Sequence, residues 1–140
     1  MKLRLQLVRD GETLFEIPLS LEDWPRQTLI DEFKSTEASF RKFSKIFTAL
    51  SHETRLRMMR QLMESDDHTL SFADFMQDLN LNPKIVWENS RKLEEGGMLE
   101  KTGRGRYACS EFGGTFMMLS LALRRLIESI DEMEGDEGGE

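Results

Sequence analysis

Cysteine occurs once in the 140 residues, as Cys109, so no disulfide can close within the chain and a reducing, cytoplasmic setting is expected. Histidine occurs twice, as His52 and His68, and two imidazoles alone cannot make a closed metal site. No apolar run approaches the length of a membrane span, and no charged-then-apolar leader is read. No nucleophile stands beside a plausible base, and no glycine-rich phosphate loop follows a strand. These absences argue against an enzyme, a bound cofactor, a resident metal and a membrane role. What remains suits one domain, and 39% hydrophobic residues are enough for a single core.

The formal net charge of −7 is unevenly spread. Seven acidic residues and no Lys or Arg lie between Glu128 and Glu140, which leaves the rest of the chain balanced at 19 acidic against 19 basic. From Lys84 to Arg106, six basic residues face four acidic ones. That local excess is modest. It argues against avid nonspecific nucleic-acid binding, and it leaves a specific site open.

The stretch from Thr69 to Ser110 organises the chain. Ser71 and Asp74 have the spacing of a capping box, and Phe72, Phe75, Met76 and Leu79 follow at helical intervals. Asn80-Leu81-Asn82 makes a turn, with Asn82 suited to an N-cap and Pro83 to the first helical position. The second helix runs to about Glu95 and stops at Gly96-Gly97, burying Val86 and Leu93. Met98–Thr102 and Arg106–Ser110 read as short strands around Gly103-Arg104-Gly105, a turn with a cation at its tip. A helix beside a basic hairpin can enter a major groove while the hairpin follows the flanking backbone.

Leu50–Leu62 (LSHETRLRMMRQL), the helix exit Arg91-Lys92-Leu93-Glu94-Glu95-Gly96-Gly97 and the strand Gly105-Arg106-Tyr107 stand in the order seen in one regulator family. Over roughly residues 45 to 130 the chain resembles the winged-helix regulators of the arsenic-repressor-like (ArsR) family. The resemblance implies a dimeric transcriptional regulator. Thiolate sensors of that family carry a Cys-x-Cys pair near the first helix of the motif, and other members use Asp and His on the last helix. Here Phe72–Leu79 holds no cysteine and no histidine follows His68, so sensing at those sites finds no support. Relatives also have small or polar residues where Trp87 and Glu88 stand, and often His-Leu in place of Asn89-Ser90. Ser90 at a position usually apolar suggests that Trp87 or Ile85 turns inward.

Around this motif, Met1–Leu19 reads as a β-hairpin. A two-residue Asp10-Gly11 loop would set its apolar rows on opposite faces, so a three-residue Arg9-Asp10-Gly11 loop is preferred, pairing Leu5 with Phe15 and Arg4 with Glu16. Its role stays open between covering an apolar patch and extending a dimer contact. Trp24 anchors a connector, and one long helix is expected from Arg26 to Leu50. Ser51 is expected to cap the next helix, with Leu56, Met59, Leu62 and Met63 inward and Arg55, Arg57 and Arg60 solvated outside. The fold expected is mostly α with small β, a winged helix-turn-helix with an N-terminal hairpin and long terminal helices. Its parts are 1–25 (hairpin and connector), 26–133 (winged helix with flanking dimerisation helices) and 134–140 (disordered acidic tail).

The candidate DNA-contacting residues are Lys84, Trp87, Glu88, Arg91 and Lys92 on the reader helix with Lys101, Arg104 and Arg106 on the wing. Arg91 is the foremost base reader, Lys84 and Lys92 face phosphates, and Arg104 reaches the minor-groove edge. Candidate dimerisation residues follow heptad spacing: Phe33, Phe40, Phe43 and Phe47 before the motif, and Phe116, Leu119, Leu123, Leu126 and Ile130 after it. The expected partners are double-stranded DNA and a second copy. The alternative is a protein-binding winged helix that has lost DNA reading and engages its partner through Trp87.

Overall fold

The computed structural model describes residues 3–138 and separates into two compact units, Met1–Arg41 and Lys42–Glu140. In the first, β1 (Arg4–Arg9) and β2 (Glu12–Pro18) form an antiparallel hairpin. Asp10 and Gly11 both take positive φ, 51° and 82°, the geometry whose twist suits a two-residue turn. The pairing is therefore Arg9 with Glu12, then Leu7 with Phe15 and Leu5 with Ile17, in place of the expected Leu5–Phe15 register. A bulge between the two halves of the ladder admits one extra residue, Leu14, and restores the parity that a two-residue loop alone would break. Gln6 stands opposite Glu16, whose carboxylate accepts from Gln6 Nε2 at 3.0 Å and from Arg4. Those bonds, Gln6 first, hold the Glu16 carboxyl below its ordinary pKa. After a 3-10 turn at Leu21–Asp23, Trp24 donates its indole N–H to the Pro18 carbonyl at 2.9 Å, the anchoring expected of it.

The long helix expected from Arg26 to Leu50 is two helices, α1 (Arg26–Glu37) and α2 (Phe40–Leu50). Thr36 Oγ1 bonds back to the Glu32 carbonyl at 2.8 Å, and the Ser39 amide closes a tight turn on Thr36 O at 2.8 Å. Hydroxyl residues offer the backbone alternatives to the helical ladder, and here the ladder yields.

The second unit continues with α3 (Glu53–Glu64), β3 (Thr69–Ser71), α4 (Phe72–Asp78), α5 (Pro83–Glu95), β4 (Leu99–Gly103), β5 (Arg106–Cys109) and α6 (Glu111–Gly138). The wing sheet has three strands in the order β3-β5-β4, one more than expected, because Leu70 pairs with Tyr107 across β3 and β5. Its core joins Ile46 and Ala49 of α2, Met58, Met59 and Leu62 of α3, Phe75 of α4, Val86 and Leu93 of α5, and Met98, Leu99 and Tyr107. Burying a side chain of this size contributes roughly 1.5–3 kcal/mol, so this cluster is the main stabilising term of the unit. Within α3 the inward residues are Met58, Met59 and Leu62, whereas Leu56 is exposed and Met63 half-buried.

The Ser71–Asp74 capping box forms in full, and Asn82 Oδ1 accepts the Ile85 amide at 2.9 Å with Pro83 at the helix start. The α3 cap differs from expectation. His52 Nδ1 accepts the Thr54 amide at 3.2 Å, while Ser51 donates its hydroxyl to Thr48 O and so closes α2 instead. The acidic end also differs, since α6 runs through Glu134 to Gly138 as helix, where disorder was expected. No proline interrupts it, and extending an existing helix costs far less than starting one. Residues 139–140 of that expected tail lie outside the described residues.

Two glycines mark where the backbone leaves no space. A Cβ at Gly96 would lie 2.5 Å from Ala49 Cβ, and one at Gly113 would run into the Met98 carbonyl, whereas Gly103 has open space. Gly113→Ala is expected to lower stability by about 3 kcal/mol or more and Gly96→Ala by about 1–3 kcal/mol, with Gly103→Ala costing under about 0.5 kcal/mol. Urea denaturation followed by circular dichroism reads all three; equal stability of the Gly113 and Gly103 variants would contradict the packing.

Candidate nucleic-acid interface

The reader helix α5 is held from behind by polar groups as well as by Val86 and Leu93. Asn89 and Ser90 are buried, 8% and 2% exposed. Asn89 Nδ2 donates to Ile85 O at 2.8 Å and Ser90 Oγ to Trp87 O at 3.1 Å, so both side chains are satisfied within the helix. The space that Ser90 leaves therefore needs no filling by Trp87 or Ile85, which are 53% and 37% exposed, contrary to expectation.

Arg55 of α3 supplies the remaining support. Its guanidinium donates to Asn89 Oδ1 at 2.9 Å, to Ala49 O at 2.9 Å and to Thr48 O at 2.8 Å. The last two acceptors are carbonyls at the C-terminal end of α2, where unpaired oxygens and the helix dipole both favour a cation. Arg55 was expected to be solvated on the outer side of α3. It is instead the tie between α2, α3 and α5. Its signal in the sequence was its place just after a helix-ending Ser-His pair, but only the fold brings Asn89, 34 positions later, within its reach. Arg57 and Arg60 do face water, each paired with a glutamate one turn away on α3.

The outer face of α5 is open to solvent. Lys84 lies 4.0 Å from Glu88, Arg91 3.2 Å from Glu95, and Lys92 3.9 Å from Glu95. The Arg91 guanidinium also stands 5.3 Å from the centre of the Trp87 ring. With Glu94 counted, the three cations of the helix are matched by three carboxylates and its formal charge is zero. The wing differs. Lys101, Arg104 and Arg106 are exposed and make no ion pair among the described residues.

Gly103 pairs with Arg106, so Arg104 and Gly105 form the tip, and Gly105 takes a φ of 66°. Trp87, Arg91 and Lys101 meet with Glu94, Ser90 and Tyr107 around a cleft of about 230 Å³ between helix and wing. Arg106 also acts on nearby carboxylates. The Asp74 carboxyl is held below its ordinary pKa chiefly by the Ser71 amide and hydroxyl, with the Arg106 charge adding to the effect. Six of the eight expected contact residues thus lie on an open helix face or on the wing tip side, with Lys101 bridging to the helix and Arg106 shared with acidic neighbours.

Neither a protein-family model nor a curated protein matches the chain. Among solved structures it is similar to a possible transcriptional regulatory protein (fragment 1-100) from Mycobacterium bovis, with a TM-score of 0.55 and 17% identity. That likeness covers 64% of this chain and 98% of the other. It is a likeness of fold. The fold is a winged helix-turn-helix carrying an N-terminal hairpin and a long C-terminal helix.

The expected dimerisation residues divide into three groups. Phe43 and Phe116 are half-buried against the core of their own unit, so intrachain packing accounts for them. Phe33, Phe40, Phe47, Leu119 and Leu123 remain 48–68% exposed, and Leu126 and Ile130 are half-buried. Among the described residues no three His, Cys, Asp or Glu side chains converge as a metal site, and no helix is long and apolar enough to cross a membrane. Burial raises the Cys109 thiol above its ordinary pKa, with Glu100 adding to the effect, so the thiolate is scarce at neutral pH.

Arg55→Met should lower stability by about 2–3 kcal/mol, since three charge-assisted bonds are lost and helix-end carbonyls are left unpaired. A double-mutant cycle with Asn89→Ala should show coupling of about 1–2 kcal/mol. Additive losses in that cycle would mean that the two side chains do not share an interaction.

Proposed function

We propose that the chain is a homodimeric, sequence-specific DNA-binding transcriptional regulator of the ArsR-like kind. The observation that carries this reading is the pairing of an open helix face on α5 with a wing whose cations form no direct ion pair among the described residues, Arg106 alone acting on the nearby Asp67 and Asp74. The two parts divide the work. A reader helix with no net charge gains little from phosphates, so the sequence-independent attraction rests on Lys101, Arg104 and Arg106.

The ion pairs on α5 do not oppose this role. An exposed pair one helical turn apart is worth about 0.3–0.5 kcal/mol, whereas a bidentate arginine–guanine contact discriminates by about 1–3 kcal/mol. Arg91 therefore exchanges Glu95 for a base at a net gain, and Trp87 beneath it sets the approach. Away from a fitting base, Glu88 and Glu95 disfavour the phosphate surface, which lowers nonspecific affinity.

A second reading draws on the same face. A tryptophan 53% exposed on a neutral helix is also a protein-binding anchor, and a winged helix that has lost DNA reading would present it to a partner.

Selection of bound duplexes from a random pool supplies the operator for the test. Arg91→Glu combined with Arg104→Glu should abolish binding to it without changing the oligomeric state. Arg104→Ala alone should flatten the salt dependence by about two in slope for a dimer, at all sequences alike. Unchanged operator affinity in the double variant would remove the DNA-reading assignment. No duplex binding at low salt, together with a protein partner lost on Trp87→Ala, would put the second reading in its place.

A further inference from the structure

Helix α6 is about 42 Å long at the ordinary rise per residue, and its packing against the core ends near Met117. Beyond that point Met118, Leu119, Leu121, Leu123 and Ile127 are 49–55% exposed. Phe112, Phe116, Leu119, Leu123, Leu126, Ile130 and Met133 advance by four and three in alternation. Folded about Leu123, this stripe matches itself, since Phe112 lies eleven residues before it and Met133 ten after.

The charges choose between the two ways of pairing such stripes. The basic residues of α6 end at Arg125, and from Glu128 onward every charged residue is acidic. Parallel helices would bring two acidic ends together, which is unfavourable, whereas antiparallel helices carry each acidic end to the start of the other copy's α6. At that start lies a cleft of about 350 Å³ lined by Lys42, Lys45, Ile46, Glu95, Phe112 and the Gly96-Gly97 backbone. Lys42 Nζ stands 5.9 Å from the Phe112 ring centre, and neither lysine has an ion-pair partner among the described residues. Glu95, the acid in the lining, is already engaged by Arg91 and Lys92. An apolar floor beneath two cations fits an amphipathic, acidic helix end.

We propose that the acidic end of α6 from a second copy seats in this cleft, Met133 toward Phe112 and Ile46, with Glu134 and Asp136 on Lys42 and Lys45. Glu134 and Asp136 occupy the positions that flank the apolar stripe, where charges in paired helices meet the partner. The inference rests on the homodimer reading and adds its orientation and a salt-sensitive latch. Because α6 is one continuous helix leaving the core near Met117, its own acidic end cannot fold back to its own cleft. The latch is therefore formed between copies.

The test uses the full chain and sedimentation velocity at low and high salt. Lys42→Glu with Lys45→Glu, and separately Glu134→Lys with Asp136→Lys, should each weaken the dimer at low salt by about tenfold or more. Combining all four substitutions in one chain should restore the affinity to within about threefold, which a mere folding defect would not do. Carbodiimide coupling of a mixture of isotopically light and heavy chains should join Lys42 or Lys45 to Glu134 or Asp136 between copies. A dimer whose affinity ignores both charge reversals, or couplings confined to single chains, overturns the latch and leaves DNA reading untouched, since these residues lie off α5 and the wing. A chain that stays monomeric overturns the latch together with the homodimer reading.

Discussion

The setting of α5 within the second unit depends on one part-buried polar tie, the Arg55 guanidinium. It closes the C-terminal end of α2 through two backbone carbonyls and reaches Asn89 in the middle of α5. Asn89 in turn bonds to Ile85 one turn earlier, so the cation sets both the position and the rotation of the reader helix. Apolar packing of Val86 and Leu93 is nondirectional and would tolerate a helix rolled by some degrees. Hydrogen bonds are not so tolerant. A roll of α5 would break the Arg55–Asn89 bond and leave polar groups unpaired, at a cost of about 1–3 kcal/mol, a sizeable share of the margin of a small domain. This is why Trp87, Arg91 and Lys84 are presented together on one open face.

The same economy of short segments explains the run from Leu50 to Arg55. Ser51 ends one helix, His52 begins the next, and Arg55 joins the two ends, all within six residues. Each group answers an orphan donor or acceptor that a helix terminus leaves behind. The result is a short, hydrogen-bonded connection between α2 and α3. Gly96 then allows the end of α5 to approach α2 at Ala49, and Gly113 allows α6 to approach the Met98 carbonyl.

Charge is distributed so that different surfaces act at different ranges. Helix α5 cancels its own charge through neighbours one turn apart, so it projects little field beyond its surface. The wing cations and the lysines of α2 keep theirs, and the last turns of α6 are purely acidic. A net charge of −7 is thus compatible with a local cationic surface because the acidic excess is confined to one end.

Much of the second unit was legible in the sequence because its signals are local. The Ser71–Asp74 box, the Asn82-Pro83 start, the Gly96-Gly97 stop and the Arg104 turn each involve residues within a few positions of one another. Local geometry accounts for them without any distant contact. The hairpin register was only half local. The Asp10-Gly11 turn is a short-range preference, but the bulge at Leu14 answers a requirement to put both apolar rows on one face. The break at Ala38-Ser39 was masked by a heptad pattern that continues across it. Arg55 is the plainest case. The Ser51-His52 pair before it marks a helix end, but what sets it apart from Arg57 and Arg60 is Asn89, 34 positions later. The chain's own order of residues determined α4 and α5 with their caps, the turn of the wing and the placing of the acidic charges. Only the tertiary structure decided that Arg55 works inside, that Trp87 stays outside and that the reader helix is neutral, because each depends on which distant carbonyl, amide or carboxylate the fold brings within hydrogen-bonding range.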